Sequence, residues 1–226
     1  FQPENVRGRV FTLTNNCPYT VWPGILTGAG GPSLEGGGFT LATGESQSLN
    51  PPDNWSGRLW PRTGCTFEAL EGPATCSTGD CGGLLQCSQV GGVPPVTLTE
   101  FTLADDVDFY DVSLVDGYNV PLSIETLGGR GDCRAAGCWS DLTDTCPPEL
   151  AVNENGRVVA CKSACEAFGS PEYCCTGEFG SPQTCGPSAY SQTFKTACPA
   201  AYSYAYDDAT STFTCTQADY QITFCS

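Results

Sequence analysis

What this chain can do chemically is bounded first by what it lacks. Its 226 residues include no histidine and no methionine. Without histidine there is no Ser-His-Asp or Cys-His nucleophile and no imidazole-ligated zinc. Carboxylate and sulfur remain in quantity. Asp and Glu number 25 against 9 Lys and Arg, a formal charge of −16, and there are 16 cysteines. Carboxyl groups alone can run glycoside hydrolysis, where one stays protonated as acid and another serves as nucleophile or base. They can equally accept hydrogen bonds from sugar hydroxyls without cutting anything, hold an arginine, or bind a cation loosely. The charge argues against a nucleic-acid partner, because phosphate binding needs clustered Lys and Arg. It also argues against lysis of anionic lipid surfaces. No apolar run approaches the roughly twenty residues of a membrane span.

The sulfur reads as disulfide. An even cysteine count at this density belongs to an oxidising compartment. The rival reading, metal binding, fails on spacing: Cys161-x3-Cys165, Cys133-x4-Cys138 and the adjacent Cys174-Cys175 form no paired C-x2-C clusters, and no histidine completes a site. Phe1 opens the chain without Met or an apolar leader, as expected for a secreted protein whose signal has been removed. Asn54-Trp55-Ser56 is a glycosylation sequon. Asp105-Asp106 and Asp207-Asp208 lack the spacing of a calcium loop, so no metal or cofactor is expected. Arg130-Gly131-Asp132 spells an integrin-type tripeptide in a glycine-rich loop and is read as incidental.

Carboxylates are useful only if a scaffold positions them, and here the scaffold reads as β. Val10-Phe11-Thr12-Leu13-Thr14 alternates as a half-buried strand does, and Thr97 to Leu103 does so with Leu98, Glu100 and Thr102 on one face. Thr20 to Trp22, Phe39 to Ala42, Ser46 to Leu49, Arg58 to Trp60, Phe109 to Val115, Leu122 to Ile124, Phe213 to Cys215 and Tyr220 to Cys225 are further strands. Short strands between Gly and Pro turns predict an antiparallel sandwich or barrel. Residues 65–95 have loop chemistry. Across Val158 to Phe168 the residues Cys161, Ala164, Cys165 and Phe168 have helical spacing, with Gly169 and Pro171 as a stop. A second short turn is expected at Tyr190 to Phe194. Phe1 to Gly8 reads as a loosely held arm.

Several segments together resemble the thaumatin-like family (pathogenesis-related family five). They are Asn15-Asn16-Cys17-Pro18-Tyr19-Thr20-Val21-Trp22, Arg58-Leu59-Trp60-Pro61-Arg62-Thr63-Gly64-Cys65, Gly79-Asp80-Cys81-Gly82-Gly83, Asp108 to Pro121, Tyr173-Cys174-Cys175, Ala201 to Asp208 and Ile222-Thr223-Phe224-Cys225. The likeness spans residues 9–225 and all sixteen cysteines. It implies a mainly β fold: a flattened antiparallel sandwich of about eleven strands with a disulfide-rich helical lobe, a small disulfide loop lobe and eight disulfides. The lobes fall at 1–64, 99–132 and 199–226 for the sandwich, 65–98 for the small loop lobe, and 133–198 for the helical lobe. Family order implies the pairs Cys17–Cys225, Cys65–Cys76, Cys81–Cys87, Cys133–Cys215, Cys138–Cys198, Cys146–Cys161, Cys165–Cys174 and Cys175–Cys185.

The resemblance also implies an acidic inter-lobe cleft. Matching motif by motif places Arg58, Glu100, Asp111, Asp116 and Asp207 there. Crowded carboxylates raise one another's pKa, and Arg58 would keep a neighbour ionised. If the cleft is catalytic, Glu100 is the acid and Asp111 its partner. Asp111 and Asp116 differ in strand parity, so they share a cleft only if the chain bends near Gly117. Phe109, Tyr110, Tyr118, Tyr204 and Tyr206 are candidates for stacking on a sugar face. The function implied is that of a secreted plant defence protein, antifungal, in the apoplast or vacuole. It would be monomeric and bind β-1,3-glucan or another cell-wall polysaccharide. The alternatives are a weak endo-β-1,3-glucanase and a non-enzymatic stress protein. Allergens occur among fruit and pollen members. Sweet taste, which the resemblance ties to a basic surface, does not suit a chain whose only lysines are Lys162 and Lys195.

Overall fold

A strand sends every second side chain to the same face, and the buried positions of this chain follow that rule closely enough to build two stacked layers. The computed structural model describes residues 8–67 and 74–226. In chain order the strands are β1 (Phe11–Asn15), β2 (Gly24–Thr27), β3 (Ser46–Leu49), β4 (Ser56–Trp60), β5 (Leu98–Thr102), β6 (Asp108–Ser113), β7 (Leu122–Arg130), β8 (Ala136–Cys138), β9 (Ala151–Glu154) and β10 (Arg157–Cys161). Helices α1 (Ala164–Phe168), α2 (Pro171–Cys174), α3 (Ala189–Ala197) and α4 (Asp208–Ser211) follow, and β11 (Phe213–Phe224) ends the described elements.

The path β2-β4-β5-β6-β11-β1-β3 runs through a single curled sheet, with β7 on the other side of β11 and β8 beyond it. β11 is the hinge of the architecture. Phe213 to Cys215 pair with β6, and from Thr216 onward the strand pairs antiparallel with β7 and parallel with β1. Its buried residues switch phase on the way, from Phe213 and Cys215 to Ala218, Tyr220, Ile222 and Phe224. Gln217 makes the switch with a left-handed backbone, φ 55°. One strand thereby feeds inward side chains to both layers. Between them Phe11, Phe101, Tyr110 and Tyr220 meet edge-on, tilted or stacked, at ring separations of 4.4 to 6.3 Å.

A buried ion cluster ties the layers at one end. Arg9 donates to both oxygens of Asp108, at 3.2 and 3.0 Å, and the Tyr220 hydroxyl adds a third donor at 2.8 Å. All eight expected disulfides close, from Cys17–Cys225 to Cys175–Cys185. Adjacent Cys174 and Cys175 reach different partners because Cys175 turns left-handed, φ 54°, at the end of α2.

Local readings needed correction in three places. Thr20 to Trp22 and Phe39 to Ala42 are not strands but share a single bridge, Val21 to Leu41, while β2 begins at Gly24, where Pro23-Gly24 reads as a stop. The helical stretch expected from Val158 is strand as far as Cys161. Asn155 and Gly156, with φ 49° and 78°, form the turn that folds β10 onto β9, and β-branched Val158 and Val159 suit the pairing. Helix starts only at Ala164, where the Ser163 hydroxyl accepts the Glu166 amide at 3.2 Å. The two expected terminal strands are one, β11. Phe1 to Arg7 of the N-terminal arm and residues 68–73 of the loop region lie outside the described residues.

Candidate functional site

Residues opposite one another in antiparallel strands share a face, with Cβ atoms roughly 4.5–5.5 Å apart. The register of β4, β5 and β6 sets Arg58 opposite Glu100 and Glu100 opposite Asp111, and Leu26 of β2 extends the row beyond Arg58. The neighbouring row runs Ser56, Thr102, Phe109 and Thr214. Both rows lie on the outer face of the layer, opposite in parity to buried Leu59, Phe101, Tyr110 and Val112. A shallow cavity of about 570 Å³ covers this face, and Gly28, Gln89 and Asp111 help line it.

The two carboxyls stand directly opposite each other in the β5–β6 register. Burial pushes Asp111 up to about 8, reinforced by the negative charge of Glu100, a hydrogen bond between the two side chains, and Asp208. Its buried Oδ1 finds no hydrogen-bond donor, as expected of a carboxyl set against another carboxyl. Glu100 is also raised by burial; the Arg58 charge pulls it down and Asp116 pushes it up. Both carboxyls are thus held above the usual carboxylate range. Glycosidases hold their two carboxyls about 5–5.5 Å apart when retaining and about 6.5–9.5 Å apart when inverting. A hydrogen-bonded pair is closer than either.

The other expected residues separate. Asp116 lies near enough for its charge to raise Glu100: the strand ends at Ser113, a turn follows, and Gly117 (φ 86°) bends the chain there. Asp207 is held by donors of its own. It accepts from Lys195 at 3.0 Å and from the Ser203 amide and hydroxyl at 3.0 and 2.8 Å. Burial alone would raise Asp207, but these donors hold it below the usual carboxylate range. Next to it, Asp208 is exposed. It acts on Asp111 and accepts the Tyr202 hydroxyl at 2.8 Å. Thr102 and Phe109 share the face of Glu100 and Asp111 as expected from strand alternation and the stacking candidates, while Gln89 and Tyr202 are neighbours with no signal in the sequence.

Of the stacking candidates, Phe109 is 45% exposed on the site face. Tyr110 and Tyr118 are wholly buried core residues and offer no ring to a ligand. Tyr110 donates to the Arg134 carbonyl and Tyr118 to Asp141. Tyr204 lines a crevice of about 20 Å³ beside Val115 and Tyr173, room for a water rather than a sugar ring; Tyr206 is half-buried. Asn54 of the sequon is exposed in a turn, beside Trp55, which is buried and donates to Thr27. In the Arg-Gly-Asp tripeptide, Asp132 is held by Arg134 at 2.9 and 3.0 Å and Arg130 by Gln217. Among the described residues no group of three or more Cys, Asp or Glu is arranged to hold a metal ion, and no helix is long and apolar enough to cross a membrane.

The family model described as Thaumatin family matches residues 15–226. The chain belongs to the thaumatin family. Among its relatives is a pathogenesis-related thaumatin-like protein 3.5 from Cryptomeria japonica, 68% identical over 96% of this chain and 89% of that protein. Pathogenesis-related protein 5 from Arabidopsis thaliana is 62% identical over 95% and 89%. Solved structures of similar fold include a thaumatin-like xylanase inhibitor, with TM-score 0.53, 23% identity and coverage of 96% and 99%. A laminaripentaose-producing β-1,3-glucanase from Paenibacillus barengoltzii has TM-score 0.59, 13% identity and coverage of 99% and 76%. At these identities the likeness is one of fold.

Proposed function

We propose that this thaumatin-like protein is a secreted, antifungal plant defence protein that binds β-1,3-glucan or a related neutral cell-wall polysaccharide on the face of β2, β4, β5 and β6, without cutting it. Membership of a family whose plant relatives carry pathogenesis-related names supports the defence role. Eight disulfides support secretion. The observation that supports binding without hydrolysis is the direct cross-strand pairing of Glu100 and Asp111, which sets the two carboxyls against each other rather than on either side of a scissile bond. In this role Arg58 donates to sugar oxygens, Glu100, Asp111 and Asp116 accept from hydroxyls, and Phe109 lies under a ring.

The test combines pull-down on insoluble β-1,3-glucan with reducing-sugar release. Wild type is expected on the pellet with no release above blank. Phe109→Ala should weaken binding about tenfold, the worth of one stacked ring. Sugar release abolished by Glu100→Gln would establish the weak endo-β-1,3-glucanase instead. Failure of wild type to bind would sink the glucan reading and leave the stress-protein role.

A further inference from the structure

A second cavity, of about 630 Å³, shares no residue with the acidic face. Its volume falls within the range of small-molecule sites, roughly 300–1,000 Å³. Of the six pieces of chain that line it, the segment after β1 brings Tyr19 and Trp22, the loop after β8 brings Asp141, and the β9–β10 hairpin brings Glu154 and Arg157. Tyr19 is 42% exposed, so ring surface is open to a ligand here that the buried Tyr110 and Tyr118 cannot offer.

The polar groups are fixed unequally. Oδ1 of Asp141 already accepts from the Thr143 amide and hydroxyl, at 2.9 and 2.7 Å, and from Tyr118 at 3.3 Å. Oε1 of Glu154 accepts from Ser77 at 3.1 Å. Arg157 is opposite Glu154 in the hairpin register and exposed, and its guanidinium forms no hydrogen bond or ion pair with any described residue. The charged group without a partner is thus a donor, and it calls for a ligand rich in oxygen acceptors. An anion would meet two carboxylates and a protein of charge −16. An uncharged pyranoside meets neither objection. Its C–H face suits an open aromatic ring, its oxygens suit Arg157, and its hydroxyls can donate to the remaining carboxylate oxygens.

We infer that this cavity is a second carbohydrate site, taking one to three residues of a neutral oligosaccharide through Tyr19, Trp22, Asp141, Glu154 and Arg157. It is independent of the acidic face and stands or falls separately.

Calorimetric titration with laminaritriose, cellotriose, xylotriose and trigalacturonic acid tests it. At least one neutral trisaccharide should bind. Tyr19→Ala and Arg157→Ala should each weaken it about tenfold, Tyr19→Phe should largely retain it, and Phe109→Ala should leave it unchanged. Arg157 is exposed and without a partner, so Arg157→Ala keeps the test decisive even if Tyr19→Ala unfolds. The inference is overturned if no neutral trisaccharide binds, if trigalacturonic acid binds as well or better, or if Phe109→Ala weakens binding while Arg157→Ala does not. Loss of glucan pull-down in Phe109→Ala with trisaccharide binding intact would separate the two sites.

Discussion

At the scale of single residues, two buried groups hold more than the sequence advertises. Asp111 carries a proton that an exposed aspartate would lose near pH 4. Because its native pKa is raised, its stabilising effect is complete at low pH and is lost as pH climbs through about 8. Wild type should therefore melt several degrees lower at pH 9 than at pH 5. Asp111→Asn should flatten that slope and melt higher than wild type at pH 9, as read by calorimetry in matched buffers. Equal slopes for the two proteins would show that the pair does not titrate as described. Arg62 is the second such group. Fully buried, it donates to the carbonyls of Trp22, Pro23, Leu84 and Leu85, and burial brings its pKa down to about 10 despite nearby Asp80. It does for the small disulfide loop what a strand partner would do elsewhere: it satisfies backbone groups that have no ladder. Arg62→Met leaves the Leu84 and Leu85 carbonyls unpaired, while those of Trp22 and Pro23 keep the backbone amides of residue 62 and Phe39, and should destabilise by on the order of 4 kcal/mol in denaturant unfolding. Arg62 was visible only as part of a family motif, because nothing in its neighbours signals which carbonyls it will face. Glu100 and Asp111 were legible as site residues. Their contact was not, since it depends on how β5 and β6 register.

Among the elements, alternation identified β1 and β5, where packing and propensity agree. It failed at β2, where Pro23-Gly24 imitates a turn, and at β10, where apolar spacing fits a helix as well as a strand. In both cases the partner strand decides, and a partner is a long-range fact. β11 presents the sharpest local demand, because its left-handed Gln217 moves the inward face by one residue. A β-branched residue tolerates that conformation poorly. Gln217→Val should cost about 1–2 kcal/mol, while Gln217→Gly should be close to neutral. If Val is tolerated as well as Gly in thermal unfolding, the phase switch is not set by this residue.

For the whole molecule, the disulfide count was legible from composition and the pairing only from resemblance, because sixteen cysteines permit many connectivities. The Cys17–Cys225 bond spans 208 positions. On a chain-entropy basis a loop of that length contributes about 5 kcal/mol. Replacing both cysteines with serine should lower the denaturant midpoint accordingly while leaving the other seven bridges in place by mass spectrometry; an unchanged midpoint would mean that the sheet alone restrains the ends. The parallel pairing of β1 with β11 also constrains the order of events during synthesis. At about 5–20 residues per second, β1 leaves the ribosome some 10–40 s before its partner strand exists. Throughout that wait Cys17 is a reactive thiol among later cysteines whose own partners, such as Cys65 and Cys76, are only 11 positions apart. The first cysteine made is thus among the last that can be correctly bonded. Maturation of this protein therefore depends on an environment that reshuffles early mistaken bridges, not merely one that oxidises thiols.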